Sequence, residues 1–153
     1  MELIHRLLST CLGIGYAPRG GGTLAAGATC LIWWFLWKGG NAHFFGEALV
    51  TLAVLAIGVY SAGKMERSWG KDNYRIVIDE AAGMCLSLCF VPVRWPYILA
   101  GLVLFRFFDI SKPLYIRRME QKKGGWGVMM DDALAGLYTN LLLQIVVWVK
   151  PLL

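Results

Sequence analysis

Five carboxylates stand beside apolar segments of this sequence, where ionisable side chains are costly and usually functional. Asp79 and Glu80 begin one such segment, Asp109 ends another, and Asp131 and Asp132 begin the last. Carboxylates held close together repel one another unless a cation lies among them. Oxygen ligands without a histidine or a thiolate favour a hard cation such as Mg²⁺. We therefore predict that all five carboxylates bind Mg²⁺.

The residues around these carboxylates would suit a phosphate group. Arg106 lies one helical turn before Asp109, and Lys112 follows it, so both can supply positive charge there. The stretches RGGGT (19–23) and KKGGWG (122–127) are predicted glycine-rich turns that enter helices, whose free backbone N–H groups can face an anion. The predicted phosphate-binding residues are Thr23, Arg106 and Lys112.

Composition places these residues in a membrane protein of one domain, 1–153. The chain is 58% hydrophobic and 16% charged, with a mean hydropathy of +0.56. Five apolar segments are long enough to cross, or nearly cross, a bilayer core of about 30 Å. They are approximately residues 22–37, 44–63, 76–92, 97–110 and 127–149. No run alternates with period two over the length of a barrel strand. The predicted fold is an all-α, polytopic membrane bundle of about five embedded helices, with a short interfacial helix at the N-terminus.

The basic residues predict how this bundle is oriented. Most of the 15 Lys and Arg residues lie in the N-terminal arm and in the second and fourth connections between segments. The positive-inside rule places these three regions in the cytoplasm and the C-terminus outside. All five carboxylates then fall at the cytoplasmic face. The net charge of +5 fits this orientation and attraction to anionic lipid headgroups better than it fits nucleic-acid binding.

Four sequence motifs extend over nearly the whole chain. They are GGGT (20–23), IVIDEAAGM (76–84), FRFFDISKPLYI (105–116) and GGWGVMMDDALAG (124–136). Their order and approximate spacing resemble the phosphatidylglycerophosphatase A family, and the last three motifs are specific. The first motif departs from the family, because residues 21–26 read GGTLAA where the family usually has P-G-T-x-G-S. The threonine is retained, but a phosphate contact by the family's serine is not carried over.

The resemblance implies a Mg²⁺-dependent lipid phosphatase of the bacterial inner membrane, with its active site at the cytoplasmic face. It would convert phosphatidylglycerophosphate to phosphatidylglycerol and inorganic phosphate in phospholipid biosynthesis. Within this chemistry we predict that Asp79, Asp109 and Asp132 are catalytic. A carboxylate would either activate water or attack phosphorus itself, while Mg²⁺ stabilises charge on the phosphate oxygens.

Two other functions would use the same sequence features. A small transporter or channel for a divalent cation could use the carboxylates as a binding site, but it predicts acidic residues at several depths. Glu47 is the single carboxylate that is predicted to lie in the outer half of a span. A non-catalytic membrane subunit would leave the clustering unexplained. The sequence leaves the oligomeric state and the number of metal ions open.

Overall fold

The computed structural model describes residues 2–39, 44–70, 73–113, 115–119 and 124–149, and within them the regular elements are all helices. They are α1 (Glu2–Ser9), a short 3-10 turn (Ile14–Tyr16), α2 (Gly21–Trp37), α3 (Phe44–Trp69), α4 (Ile78–Leu88), α5 (Trp95–Ser111), α6 (Ile116–Met119) and α7 (Gly125–Val149). This confirms the all-α class. Some of the basic residues behind the predicted orientation lie outside the described part, namely Lys71, Lys122, Lys123, Lys150 and the side chains of Arg117 and Arg118.

Helix α4 is shorter than the apolar segment that predicts it. The segment 76–92 is predicted to be a membrane-embedded helix, but α4 has 11 residues and is about 16 Å long. Phe90 adopts a left-handed φ of 63° and Pro92 follows it, so the helix cannot continue through this turn. Therefore α4 is about half as long as the ~30 Å hydrocarbon core of a bilayer is thick.

Two of the five predicted segments form helices of membrane-spanning length. Among the described residues, α3 with 26 residues and α7 with 25 are long and apolar enough to cross a membrane. In the most apolar part of each helix, 22% of α3 and 33% of α7 is buried inside the protein. Most of this apolar surface therefore faces outward, as in helices that contact lipid. Helix α2 is a shorter apolar helix of 17 residues. That all five segments are embedded stays a prediction.

Helix α4 packs most extensively against α7. Two glycines bring these helices together, since a Cβ at Gly136 would overlap the backbone carbonyl of Gly83. A Cβ at Gly83 would in turn lie 2.7 Å from the carbonyl oxygen of Asp132. Small residues of this kind let membrane helices approach closely. The side chains of Met84 and Phe105 are fully buried in the core around this contact.

The N-terminal arm, residues 2–20, packs against the segment that leads into α4. The N–H of Val77 donates to the carbonyl of Ser9 at 2.9 Å. Gly15 lies so close to the carbonyl of Arg75 that a Cβ would overlap it. These contacts hold the chain in place at the point where α4 begins.

Candidate active site

A cavity of about 200 Å³ lies where the first turn of α4, the end of α5 and the first two turns of α7 meet. All five carboxylates that the sequence analysis singles out line this cavity. Its charged lining residues are Asp79, Glu80, Asp109, Lys112, Asp131 and Asp132. The fold therefore gathers into one site residues from three separate motifs of the sequence.

Three of these carboxylates, Asp79, Glu80 and Asp132, form a close group that we call the acidic triad. One oxygen of each lies within 4.8 Å of an oxygen of the other two. Asp132 is buried, and Asp79 and Glu80 are half-buried. Negative charges at this separation repel strongly where water is largely excluded. This repulsion is relieved by a cation among the oxygens or by protonation of a carboxyl group.

Buried oxygens without hydrogen-bond partners support a cation at this position. Within the described residues, Asp79 Oδ1, Glu80 Oε2 and Asp132 Oδ2 are buried and have no partner, and the same holds for Asp131 Oδ1. Leaving such an atom unpaired costs about 1–3 kcal/mol, and more when the group is charged. A hard divalent cation would satisfy several of these oxygens at once, so the residues present fit Mg²⁺.

The other two carboxylates are paired with cationic side chains of the protein. Arg106 Nη1 donates to Asp109 Oδ2 at 2.6 Å. Lys112 Nζ donates to Asp131 Oδ2 at 2.9 Å. The geometry thus separates the five predicted metal ligands into the triad and two ion pairs. Metal ligation stays a prediction for all five carboxylates.

The triad forms because two close glycine contacts lie one helical turn away from it. Gly83 follows Asp79 by four residues, and Gly136 follows Asp132 by four. Each glycine therefore lies on the same helix face as its carboxylate. Because α4 and α7 approach each other at these glycines, Asp79 and Asp132 also come together.

The first glycine-rich stretch lies beside the triad. A Cβ at Gly22 would overlap the carboxylate of Glu80, so the first turn of α2 contacts this side chain. Thr23, the next residue, is exposed and is not among the described residues that line the cavity. Arg106 contacts Asp109, but like Thr23 it is not among the described residues that line the cavity. The phosphate-binding roles of Thr23 and Arg106 stay predictions.

In the second glycine-rich stretch, Lys122 and Lys123 lie outside the described residues, and the helix already begins at Gly125. Gly124 has a left-handed φ of 75°, and α7 begins directly after it. Gly125 serves packing, since a Cβ there would overlap the carbonyl of Val59 in α3. Gly127 lines the cavity. Asp131 and Asp132 therefore lie in the second turn of α7, deeper in the helix than the sequence predicts.

Lys112 is held in a strained conformation at the edge of the cavity. It caps the end of α5 with a left-handed φ of 43°, a region that favours glycine. Its N–H still donates to the carbonyl of Phe108 at 2.8 Å. Strained residues persist where the surrounding structure requires them, and they cluster at functional sites. A phosphate-binding role for the Lys112 side chain stays a prediction.

The segment before α4 contributes lining residues that the sequence analysis does not single out. Asn73 and Tyr74 line the cavity, and so does Ile76, the first residue of the motif 76–84. The available signal is a polar pair, Asn73 and Tyr74, shortly before the predicted apolar segment 76–92. In the sequence alone this pair cannot be distinguished from an ordinary connecting loop.

Cys11 lies close to the site but is not poised as a nucleophile. Its Sγ lies 3.5 Å from the carbonyl oxygen of Val77. Burial raises the pKa of the Cys11 thiol to about 12, and the negative charge of Glu80 adds to this rise. The thiol therefore stays protonated at neutral pH, whereas the thiolate is the reactive form.

Comparisons with known proteins agree with this chemistry. The sequence model of the phosphatidylglycerophosphatase A family matches residues 7–147. A protein of Bacteroides thetaiotaomicron, provisionally named a phosphatidylinositol-3-phosphatase, is 43% identical over 149 residues, which cover 94% of this chain and 93% of that protein. Phosphatidylglycerophosphatase A of Escherichia coli is 34% identical over 137 residues, covering 86% and 76%. Its Haemophilus influenzae counterpart is 40% identical over 93 residues, covering 59% and 57%. No solved structure matches the chain.

Proposed function

This chain belongs to the phosphatidylglycerophosphatase A family of lipid phosphatases, and we propose that it hydrolyses the terminal phosphomonoester of phosphatidylglycerophosphate. The products are phosphatidylglycerol and inorganic phosphate, which places the reaction in phospholipid biosynthesis. The proposal further includes Mg²⁺ as the cofactor and the cytoplasmic face of the bacterial inner membrane as the location.

The observation that carries the proposal is the acidic triad in the cavity. Three carboxylates have oxygens within 4.8 Å of one another, and each has a buried oxygen with no partner in the described part of the chain. Lys112 lines the same cavity. Phosphoryl transfer needs positioning and neutralisation of charge more than covalent chemistry by the protein. A cavity that combines oxygen donors for a cation with a protein cation supplies both.

In the proposed site, Asp79, Glu80 and Asp132 would hold Mg²⁺. When bound, the ion supplies positive charge that stabilises the oxygens of the reacting phosphate. Lys112 binds the phosphate from the cavity wall, as its position beside Asp131 permits.

Asp109 is the predicted catalytic carboxylate that lies outside the triad. It lines the cavity and is held by Arg106 at 2.6 Å. A carboxylate fixed in this way can orient the attacking water and accept its proton. In this assignment Arg106 is a positioning residue for Asp109.

The proposed cytoplasmic location is supported by the distribution of charge. The cavity, the basic N-terminal arm and the basic end of α3 belong to regions that the positive-inside rule assigns to the same side. The outward-facing apolar surface of α3 and α7 supports an integral membrane protein.

A second substrate is suggested by the Bacteroides relative, whose name refers to phosphatidylinositol 3-phosphate. That lipid and phosphatidylglycerophosphate both combine a phosphomonoester with a phosphodiester, so the same cavity chemistry would serve either. By contrast, neither the comparisons nor the described residues favour the alternative of a divalent-cation transporter.

The test is phosphate release by the purified protein in mixed micelles of a neutral detergent. Phosphatidylglycerophosphate and phosphatidylinositol 3-phosphate are compared as substrates, each with Mg²⁺ and with excess chelator. We expect faster release from phosphatidylglycerophosphate and a loss of activity on chelation that added Mg²⁺ restores. A preference for the inositol lipid would overturn the substrate assignment, and chelator-resistant activity would overturn the cofactor assignment.

A further inference from the structure

A second group of charged residues lies next to the cavity, on the segments that hold the start of α4. We call it the arginine–aromatic cluster, and it consists of Arg6, Tyr16, Trp69, Tyr74 and Arg75. Arg6 lies 5.3 Å from the centre of the Tyr16 ring and 5.9 Å from that of Trp69. Arg75 lies 5.6 Å from Tyr16 and 6.0 Å from Trp69. Both guanidinium groups thus share the same two aromatic rings.

These two arginines carry positive charge that no described carboxylate neutralises. The ion pairs found in the described residues are Arg106 with Asp109 and Lys112 with Asp131, and neither involves Arg6 or Arg75. Arg6 Nε donates to the hydroxyl of Tyr16, and the remaining contacts of both arginines are largely with ring faces. Two cations gathered around one pair of rings repel each other. An anion bound between them would relieve this repulsion.

The cluster is continuous with the catalytic cavity. Arg75 Nε donates to the hydroxyl of Tyr74 at 3.3 Å, and Tyr74 lines the cavity. Asn73 also lines the cavity and links the cluster to the end of α3, because its Nδ2 donates to the carbonyl of Trp69 at 3.3 Å. The side-chain oxygen of Asn73 accepts the backbone N–H of Arg75 at 3.1 Å. A ligand that fills the cavity therefore has the cluster at its side.

We propose that the arginine–aromatic cluster binds the phosphodiester group of a lipid while the phosphomonoester occupies the cavity. This inference rests on the proposed function. Phosphatidylglycerophosphate carries one phosphodiester and one phosphomonoester, separated by a glycerol unit. Arginine recognises phosphate oxygens through several donors at once, and Tyr and Trp suit the depth of lipid headgroups. The phosphodiester belongs either to the substrate itself or to a neighbouring anionic lipid.

The proposal is tested first by binding, without any need for activity. Native mass spectrometry in neutral detergent compares retention of phosphatidylglycerol by the wild-type protein, Arg6→Ala, Arg75→Ala and the control Arg67→Ala. Arg67 is exposed in the last turn of α3, and its substitution removes the same charge. Among the described residues, the cation–π contacts found with Tyr16 and Trp69 are those of Arg6 and Arg75. We expect each cluster variant to weaken phosphatidylglycerol binding about tenfold, as for one lost charged hydrogen bond, while Arg67→Ala binds as the wild type does. Equal binding by all four proteins would overturn the proposal.

A kinetic comparison then identifies the source of the phosphodiester. Phosphatidic acid has a phosphomonoester but no phosphodiester, so it is the matched substrate for phosphatidylglycerophosphate. If the substrate's own group binds, Arg75→Ala raises KM about tenfold for phosphatidylglycerophosphate and leaves the KM for phosphatidic acid unchanged. If a neighbouring lipid binds, the variant instead loses activation by added phosphatidylglycerol on both substrates.

A purely structural role gives a different result. Equal losses on both substrates without added lipid, together with a lower melting temperature, would show that the cluster only braces the N-terminal arm, and this outcome overturns the proposal. Arg75→Lys keeps the charge but loses the planar donors. It should bind phosphatidylglycerol with intermediate strength, and it provides the measurement if Arg75→Ala does not fold. Failure of the proposed function is separate, because it is read from the substrate preference and Mg²⁺ dependence of the wild-type protein and leaves the binding experiment interpretable.

Discussion

The carboxyl end of α4 is held by side chains from two neighbouring helices. The N–H of Phe90 donates to Glu47 Oε2 at 2.7 Å. Asn140 Nδ2 donates to the carbonyl of Cys89 at 2.7 Å, and Gln144 Nε2 donates to the carbonyl of Phe90 at 3.0 Å. Asn140 Nδ2 also donates to the carbonyl of Ser87, in the last turn of α4, at 3.1 Å. The short helix can end within an apolar bundle because these side chains satisfy backbone groups of its last turn and of the residues that follow it.

The amino end of the same helix has the opposite arrangement. Asp79 and Glu80 each have a buried oxygen without a partner among the described residues, and Asp132 of α7 adds another. The two ends of α4 thus show two different uses of polar residues in one helical bundle. At the carboxyl end of α4, a polar side chain that contacts a backbone group supports the fold. At the amino end, the triad oxygens that have no partner among the described residues are available to a ligand. Glu47 belongs to the first kind, which explains a carboxylate that the sequence analysis finds apart from the others.

The largest effect is expected from Asp132→Asn, which alters the amino end of α4. Turnover should fall about 10²–10³-fold, the scale of removing one preorganised electrostatic group from an active site. The melting temperature in detergent should stay constant or rise, because repulsion within the triad decreases. Phosphate release and thermal unfolding of the same preparation measure both. A large loss of stability with normal specific activity would show that the triad is structural.

Gly136→Ala tests the close contact between α4 and α7, which lies between the two ends of α4. The added Cβ would overlap the carbonyl of Gly83, so α4 and α7 must separate, at a cost of about 1–3 kcal/mol for overpacking. Activity should also decrease, because the separation moves Asp79 away from Asp132. Gly27→Ala is the matched control, since no atom lies within 4 Å of its added Cβ. Similar unfolding free energies for the two variants would contradict the close contact.

Glu47→Ala alters the carboxyl end of α4. Loss of the acceptor for the Phe90 N–H should lower the free energy of unfolding by about 1–3 kcal/mol. Glu47→Gln retains a side-chain oxygen and should lose less. The Mg²⁺ concentration for half-maximal activity should be unchanged in the folded fraction of both variants, because Glu47 contacts the end of α4 opposite to the one that lines the cavity. A shift in this Mg²⁺ dependence would indicate that the two ends are not separate in function.

Lys112→Ala is expected to have the smallest effect. Removing a cation that binds the phosphate should raise KM about tenfold, as for one lost charged hydrogen bond. Because Lys112 also pairs with Asp131, the double variant with Asp131→Asn should lose less than the two single variants combined. Steady-state kinetics on all three proteins measure this coupling. Strict additivity would mean that the ion pair does not contribute to substrate binding.

The sequence predicts much of this fold, because hydropathy and motif position are local properties. The segments 22–37 and 127–149 correspond closely to α2 and α7. The prediction for 76–92 is wrong in length, since an apolar run does not reveal that Phe90 turns into the left-handed region. Among the site residues, all five carboxylates and Lys112 line one cavity, but Thr23 and Arg106 do not line it.

By itself, the sequence determined that the chain is helical and apolar and that its unusual carboxylates stand at related ends of the segments. These features follow from residue type and order, since each side chain prefers lipid or water largely independently of distant partners. Only the tertiary structure decided which carboxylates converge, which ones pair with Lys112 and Arg106, and that Glu47 supports the end of α4. Those outcomes depend on the approach of α4 and α7 at Gly83 and Gly136, and contacts between residues so far apart along the chain exist only once the helices have packed.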